Sequence, residues 1–293
     1  MRHINPARTI MNQAEQASKA EAFRALHRGP RLLLLPNAWD AMSARIVASE
    51  GFPAIATTSG GLAWALGYPD GEAAPWDEVV AATARIARAV SVPVTADIET
   101  GYGETPEVVA RSIGDIIGAG AVGVNLEDGV RGGAAPVRSI DDMVARIVAA
   151  REAARAAGVP IVINARTDLY LKNIGDEQSR FEQAVARARA YLAAGADCFY
   201  PITLRDADTI GRLVRAVNAP VNIGGVRTGF PSVAELEALG VRRASTATAI
   251  TLMVVDAIRS MAGELYETGR FDTLKPTITH PEAQQLFGPK NPG

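Results

Sequence analysis

Carboxylate side chains occur in two short stretches in the middle of this sequence, each at the end of an apolar run. The first stretch contains Asp97 and Glu99, and the second contains Glu127. Residues two apart lie on the same side of a strand, so Asp97 and Glu99 should face one point. Ionised carboxylates this close repel one another unless a cation neutralises them. The pattern therefore predicts a site for Mg²⁺, or for Mn²⁺, held partly through water, although each acid taken alone could be a helix cap.

Further polar residues stand at the ends of later predicted strands. Asn164 and Arg166 share one side of the fifth strand, and the guanidinium of Arg166 has the fixed fork that grips a carboxylate. A salt bridge to a neighbouring acid is the alternative role for Arg166. Asn222 in the seventh strand, with Arg243 and Ser245 in the eighth, could contact substrate or pack the barrel mouth. The sequence leaves both interpretations open.

Scarce residue types exclude several other chemistries. The three histidines, His3, His27 and His280, lie outside the strand-rich middle, which argues against a histidine zinc site and a Ser-His-Asp triad. None of the four lysines falls within a strand pattern, which disfavours a Schiff-base lysine. The single cysteine, Cys198, excludes an internal disulfide and is expected to be a small buried residue of the sixth strand.

Two kinds of strand start alternate along the chain, one led by proline and one led by glycine, and they define eight short apolar runs. Alanine-rich segments with helical periodicity follow them, for example residues 76–90, 106–119, 140–157 and 178–194. This alternation predicts a single (β/α)8 TIM-type barrel, for which roughly 250 residues is typical. A doubly wound sheet is the alternative, but residues 36–40 read PNAWD where a dinucleotide-binding glycine motif would stand.

Composition narrows the class of protein further. The chain has 293 residues, 48% hydrophobic and 21% charged, with a formal net charge of −2. Scattered charges provide no basic face for nucleic acid, and no apolar run approaches the ~20 residues of a membrane helix. We therefore expect a cytoplasmic protein acting on small molecules. Its predicted parts are an N-terminal helical extension (1–30), the catalytic barrel (31–267) and a C-terminal tail (268–293).

Several motifs taken together resemble the isocitrate lyase and phosphoenolpyruvate mutase superfamily. They are PNAWDA at 36–41, TTSG at 57–60, LGYPD at 66–70, DIE at 97–99 with GYG at 101–103, NLED at 125–128 and NAR at 164–166. The resemblance implies that Asp97, Glu99, Glu127 and Asp70 hold Mg²⁺, mostly through water. It also implies that Thr58, Ser59 and Gly60 bind a carboxylate or phosphonate. Asp70 and Asn222 are further candidates for contact with the substrate. Arg166 would hold the substrate and balance developing negative charge.

The resemblance also concerns the assembly. Superfamily members are typically tetramers in which subunits exchange a C-terminal helix. Residues 247–267 are predicted to form such a helix, and the proline-containing tail after it is compatible with packing on a neighbouring subunit. We therefore expect a homo-oligomer, a tetramer by resemblance, although a helix packed on its own subunit would show the same pattern.

This chain departs from the superfamily at three catalytic positions. Residues 129–136 read GVRGGAAP where classical isocitrate and methylisocitrate lyases carry a cysteine motif. Ala56 replaces the tryptophan of the mutases, and Ile202 stands where lyases have Glu and mutases have His. The proton donor must therefore come from elsewhere, with Tyr102, Tyr68 and Arg131 as candidates. Glu127 and Arg166 complete the expected catalytic set.

Three functions remain in view from the sequence. The first is a Mg²⁺-dependent lyase or decarboxylase that cleaves a C–C bond of a small α-oxo or 2-hydroxy (di)carboxylate through a pyruvate-enolate-like species. The second is P–C chemistry, as a phosphonomutase or phosphonopyruvate hydrolase. The third is a barrel that binds an oxo acid without turnover.

The segment between Glu127 and Ser139 is expected to act as a lid. Glycines at 129, 132 and 133 give its backbone freedom, so the segment should be mobile when the site is empty and closed when it is occupied. Arg131 and Arg138 would offer charge to an anionic substrate.

Overall fold

The computed structural model describes residues 12–131, 136–225, 229–272 and 274–288. Within these ranges the chain alternates short strands and helices. The strands are β1 (Leu33–Leu35), β2 (Asn37–Ala38), β3 (Ile55–Thr57), β4 (Val94–Asp97), β5 (Gly123–Glu127), β6 (Val162–Thr167), β7 (Cys198–Pro201), β8 (Asn222–Gly224) and β9 (Arg243–Ser245). The helices are α1 (Gln13–Leu26), α2 (Ala41–Ser49), α3 (Ser59–Leu66), α4 (Trp76–Ala89), α5 (Pro106–Gly118), α6 (Ile140–Ala156), α7 (Glu177–Ala193), α8 (Ala207–Val217), α9 (Val233–Ala238), α10 (Ala249–Thr268) and α11 (His280–Phe287).

The strands form a closed parallel barrel. One sheet has the order β2-β3-β4-β5-β6-β7, a second has the order β1-β9-β8, and a parallel bridge between Phe199 and Val221 joins β7 to β8. β1 and β2 are two parts of one barrel strand, interrupted at Pro36, which has no N–H to donate to a ladder. The predicted (β/α)8 barrel is therefore confirmed.

Helix boundaries follow the local signals in the sequence. The α5 residues Val109, Ile113, Ile116 and Ile117 are buried at helical spacing and form the face that packs on the barrel. Glycine follows several helices in the left-handed conformation that ends them, namely at Gly51, Gly120, Gly195 and Gly240, with φ between 85° and 109°. These glycines belong to the glycine-led strand starts seen in the sequence, and they precede β3, β5, β7 and β9, so the predicted helix ends agree with the structure.

Helix α1 closes the bottom of the barrel. Its Phe23 lies against Gly123 at the start of β5, where an added Cβ would come within 2.8 Å of the phenylalanine ring. Gln16 donates hydrogen bonds to the carbonyls of Ile117 and Ala121 at 2.8 and 2.9 Å, which fixes the helix against the end of α5. The N-terminal end of the barrel is therefore sealed, and ligands have access from the opposite end.

The C-terminal region contains two helices with different surroundings. In α10 only Thr251 is buried, so an apolar helix extends largely uncovered. In α11 Phe287 lies under Arg45 of α2, with 5.7 Å from the guanidinium carbon to the ring centre. The predicted tail therefore contains a helix that packs on its own chain. Its start carries a capping box from Thr279 to Glu282, a signal present in the sequence. Among the described helices, none is long and apolar enough to cross a membrane.

Candidate active site

Three predicted metal ligands meet at the C-terminal end of the barrel. Asp97 ends β4, Glu99 follows it two residues later, and Glu127 ends the adjacent β5. Burial raises the pKa of all three carboxyls, to about 7 for Glu99 and well above the ordinary value for Glu127. The neighbouring acids raise them further, since each charge disfavours the next. This acidic mouth therefore favours a bound cation.

Glu72, a residue between α3 and α4 that the sequence did not single out, holds Glu99 and the loop after β4 in place. The Glu72 backbone N–H donates to Glu99 Oε1 at 2.9 Å, and Glu72 Oε1 accepts from the backbone N–H groups of Thr100 and Tyr102 at 2.9 and 3.1 Å. Glu72, Glu99 and Tyr102 all have φ between 53° and 56°, the left-handed region that non-glycine residues rarely adopt. Strain of this kind gathers where function requires a fixed geometry.

Two candidate proton donors reach Glu99. The Tyr102 hydroxyl donates to Glu99 Oε1 at 3.4 Å, and its ring stacks on Trp76 with 4.6 Å between the centroids. Burial and the neighbouring Glu99 raise the pKa of Tyr102, so the phenol keeps its proton. Arg131, from the start of the predicted lid, forms an ion pair with Glu99 Oε2 and lies against Gly71. Both candidates are therefore at the mouth.

Arg166 is held between two acids. Its Nη1 lies 2.6 Å from Glu127 Oε2, and its Nε donates to Asp168 Oδ1 at 2.8 Å. Burial alone would lower the pKa of Arg166, but Glu127 and Asp168 outweigh it and hold the pKa well above its usual value. The salt bridge that was the alternative role for Arg166 is thus present in the structure. It fixes the orientation of the guanidinium. Asp168 lies two residues from Arg166 on the same strand edge, a spacing that could have identified it.

The donor set fits a cation that keeps part of its water. In the described part of the chain, no three His, Cys, Asp or Glu side chains are arranged to hold a metal ion directly. The buried Oε2 of Glu127 nevertheless accepts no hydrogen bond among the described residues. It forms a short ion pair with Arg166, but no N–H of that guanidinium is directed at it. Oxygen ligands with partial hydration are typical of Mg²⁺. Asp70 lies beside Gly60 at the start of α3. A Cβ placed on Gly60 would be 3.2 Å from Asp70 Oδ2, so this carboxylate also belongs to the mouth.

The predicted anion-binding segment is the start of a helix rather than a loop. Thr58 is the N-cap of α3, its side chain makes no capping hydrogen bond, and Ser59 is the first helical residue. The Ser59 N–H donates to Asp97 Oδ2 at 3.2 Å, so the helix start faces the acidic mouth. At Gly61 an added Cβ would come within 2.7 Å of Thr251 Oγ1 on α10. Free N–H groups and the helix dipole make such a terminus suited to a carboxylate.

The two ends of the predicted lid are paired with each other at its base. Gly129 and Val137 form an antiparallel bridge, and Val130 N–H donates to Pro136 O at 3.0 Å. Lys172 ties the two sides together, because its Nζ donates to the carbonyls of Val130 and Pro136 at 2.8 and 2.7 Å. Gly132 and Gly133 lie outside the described residues.

Four other residues considered from the sequence are engaged with neighbouring side chains or buried. The guanidinium of Arg138 is paired with Asp142 and Glu104 at 3.1 and 3.4 Å. Tyr68 donates to Glu78 at 2.9 Å. Asn222 is buried at the start of β8 and bonded to Ser245, the last residue of β9. Burial raises the pKa of Cys198 to about 12, so this buried residue is a neutral thiol.

Comparisons with known proteins agree with this geometry. The family model of phosphoenolpyruvate phosphomutase matches residues 23–266. The chain is 31% identical to 2,3-dimethylmalate lyase of Eubacterium barkeri, over 92% of this chain and 94% of the relative. A candidate lyase/mutase from Burkholderia cenocepacia J2315 superposes with a TM-score of 0.87 and 39% identity, covering 94% and 98% of the two chains. Oxaloacetate acetylhydrolase in complex with its product oxalate gives a TM-score of 0.82 and 29% identity, covering 92% and 94%.

The match of the family model extends over most of the barrel, and the relatives cover nearly the whole chain. The chain therefore belongs to the isocitrate lyase and phosphoenolpyruvate mutase superfamily of enzymes.

Proposed function

We propose that this chain is a cytoplasmic, Mg²⁺-dependent lyase or decarboxylase. It would cleave a C–C bond of a small α-oxo or 2-hydroxy (di)carboxylate through a pyruvate-enolate-like species. The observation that supports this most is the acidic mouth in which Arg166 is fixed between Glu127 and Asp168. Relatives named for 2,3-dimethylmalate and oxaloacetate support the substrate class.

The proposed ligands of the cation are Asp97, Glu99, Glu127 and Asp70, acting mostly through water. When bound, Mg²⁺ supplies a Lewis acid that polarises the oxygens of an oxo acid. The start of α3, formed by Thr58, Ser59 and Gly60, would hold a substrate carboxylate. A small dianion would then lie between the helix start and Arg166.

Arg166 would balance the negative charge that grows as the bond breaks. Its two acid partners orient the guanidinium in advance, so little reorganisation is needed during the reaction. Tyr102 is the proposed proton donor to the enolate carbon, because its phenol is protonated and lies at the mouth. Arg131, which also contacts Glu99, would close the site from the lid.

A panel of substrates tests the proposal. Purified protein with Mg²⁺ is incubated with oxaloacetate, 2,3-dimethylmalate, 2-methylisocitrate and phosphonopyruvate, and the products are identified by NMR. We expect C–C cleavage of a small dicarboxylate and poor cleavage of 2-methylisocitrate, since residues 129–136 contain no cysteine. Chelation of the metal should abolish turnover, and Arg166→Met should lower kcat by about 100-fold or more.

One observation favours a second candidate. The matching family model is that of phosphoenolpyruvate phosphomutase, an enzyme of P–C chemistry. Turnover of phosphonopyruvate alone would establish this alternative and reject C–C cleavage. Metal-dependent binding of oxalate without turnover of any panel member would indicate a barrel that binds oxo acids.

We further propose that the protein is a homotetramer that exchanges α10 between subunits. Leu252, Met253, Val255 and Ile258 of α10 are 46–73% exposed in the single chain. Contiguous apolar surface of this kind marks an interaction site, and a second copy of this chain is the proposed occupant. Thr248 and Thr251 at the start of α10 contact Gly60 and Gly61, which connects the proposed interface to the active site.

A further inference from the structure

A positive charge lies inside the barrel, directly beneath the acidic mouth. Arg243, the first residue of β9, is fully buried, and its side chain points into the interior formed by the neighbouring strands. Its Nη2 donates to Asn125 Oδ1 at 3.2 Å, and its Nη1 lies 3.4 Å from Nε2 of His27. The guanidinium carbon is 6.0 Å from the centre of the Phe23 ring. The charged group is therefore surrounded by neutral side chains.

Arg243 has no counter-ion of the usual kind. Among the described residues, the guanidinium nitrogens contact the neutral His27 and Asn125, and Nε is buried without a hydrogen-bond partner. Asp97 is the acid whose charge acts on Arg243, from beyond ion-pair distance. The other fully buried arginine, Arg146, shows the contrast, because it is paired with Asp142 at 3.0 Å and bonded to three backbone carbonyls. A buried unpaired charge is costly for folding, so the position of Arg243 calls for an explanation.

The nearest anionic groups are those of the proposed active site. Asn125, which accepts from Arg243, lies two residues before Glu127 on β5, which is about 7 Å along the strand. Asn164 lies two residues before Arg166 on β6 and donates to the same Asn125 oxygen at 2.7 Å. Arg243 therefore lies one layer of side chains below the groups proposed to bind the substrate.

We propose that Arg243 is a positioning residue that sets the charge of the active site, and that the bound substrate anion supplies its missing counter-charge. The inference rests on the proposed function, in which a cation and a dicarboxylate share the mouth. In a buried site of low dielectric, a fixed charge one layer away acts on both ligands. Arg243 attracts the anion and opposes the cation. The charge of Arg243 therefore lowers the affinity of the four proposed metal ligands for a metal ion alone. It favours binding of the metal ion together with the substrate anion.

A purely structural role would have a different signature. If Arg243 only joined β9 to α1 through His27, its removal would loosen the floor of the barrel and weaken both ligands together. The electrostatic role predicts opposite changes, with tighter metal binding and weaker anion binding. Opposite signs cannot arise from a general loss of order.

The test measures two affinities in the full-length protein by calorimetry: Mn²⁺ alone, and oxalate with Mn²⁺ at saturation. For Arg243→Gln, which keeps a donor toward Asn125, we expect Mn²⁺ to bind about threefold or more tightly and oxalate about fivefold or more weakly. Arg243→Lys, which keeps the charge, should return both affinities to near the wild-type values. Arg24→Gln is the matched control, because Arg24 is also near the barrel bottom but is paired with Asp197 and Glu21.

A second variant covers the case in which Arg243→Gln does not fold. His27→Glu leaves Arg243 in place and puts a carboxylate beside it, so it should change the two affinities in the same directions. Parallel losses of both affinities, or unchanged oxalate affinity in a folded variant, would overturn the role of Arg243. If the wild type itself binds neither Mn²⁺ nor oxalate, the proposed function fails, and the inference fails with it.

Discussion

The carboxylate of Asp97 is the centre of the proposed cation site. It is half-buried and accepts a hydrogen bond from the Ser59 N–H at 3.2 Å. Desolvation raises its pKa, the charge of Arg166 opposes that shift, and the charge of Asp70 adds to it. We predict that Asp97→Ala abolishes binding of Mg²⁺ and Mn²⁺ in calorimetry with oxalate present. Asp176→Asn is the control, since Asp176 caps α7 on the surface and Asn caps equally well. Full metal affinity in Asp97→Ala would contradict the assignment.

His27 predicts how stability depends on pH. Its ring is buried, with Nδ1 2.9 Å from the Phe23 carbonyl and Nε2 3.4 Å from Arg243, which fits a neutral ring protonated on Nδ1. Burial, followed by the charge of Arg243, lowers the pKa of His27 to about 3, with smaller and opposing effects from Asp197 and Arg24. Below about pH 6.5 the unfolded chain takes up a proton that the folded chain does not.

The free energy of unfolding should therefore fall as the pH drops from 6.5 toward 3, and His27 should have no effect above that window. By pH 4 the loss from this residue should be about 3 kcal/mol. Urea unfolding of wild type and His27→Gln across pH 4–8 measures it. The variant should lose less stability on acidification. Parallel pH curves for the two proteins would rule out this linkage.

Residue spacing predicted part of the site and could not predict the rest. Asp97, Glu99 and Arg166 were identified because residues two apart share one side of a strand. Glu72 was missed because its contact with Glu99 depends on a left-handed turn, which the local sequence does not specify. The pairing of Arg243 with Asn125 joins strands 118 residues apart, a distance that periodicity cannot bridge.

The lid is the element whose structure makes the sharpest kinetic prediction. Arg131 extends from its described base to Glu99, so it links the lid to the acidic mouth. We predict that Arg131→Ala lowers kcat/KM on the true substrate by about tenfold or more, while folding and metal binding persist. Arg111→Ala, an exposed arginine on α5, is the control. Equal kcat/KM for Arg131→Ala and wild type would reduce the lid to a connector.

Lys172 should determine how firmly the lid base is held. Its ammonium group bridges the carbonyls of Val130 and Pro136, the two sides of the lid base. We predict that Lys172→Met speeds amide hydrogen exchange at Val130, whose N–H donates to Pro136 O, by about tenfold. Lys275→Met in the exposed C-terminal segment should leave that exchange unchanged. Unaltered exchange at Val130 in Lys172→Met would show that the backbone pairing alone holds the base.

At the scale of elements, the sequence predicted helices more accurately than their connections. The helix predicted at residues 106–119 runs from Pro106 to Gly118, because apolar spacing and a terminal proline mark it clearly. The start of α3 at Ser59 was missed because two glycines follow it, and glycine is a poor helix former. Both glycines lie where α10 packs closely against α3, and this is a tertiary contact that the local sequence does not reveal.

For the whole molecule, the exposed α10 predicts association. A 20-residue helix with one buried residue has too little contact with its own barrel to account for its apolar surface. We predict that wild-type protein sediments as a homo-oligomer, a tetramer under the proposed exchange. The double variant Met253→Glu and Ile258→Glu should sediment as a smaller species, because burying two unpaired carboxylates at an interface is strongly unfavourable.

The control for this experiment is Val148→Glu, which places the same charge at an exposed apolar residue of α6 outside α10. It should leave the oligomer intact, and circular dichroism should show that the double variant keeps the barrel. Thr248 and Thr251 connect the start of α10 to Gly60 and Gly61, so dissociation should also weaken oxalate binding in the presence of Mn²⁺. If the wild-type protein remains a monomer across the micromolar range, α10 has another partner. If the double variant keeps the wild-type oligomer, the interface lies elsewhere.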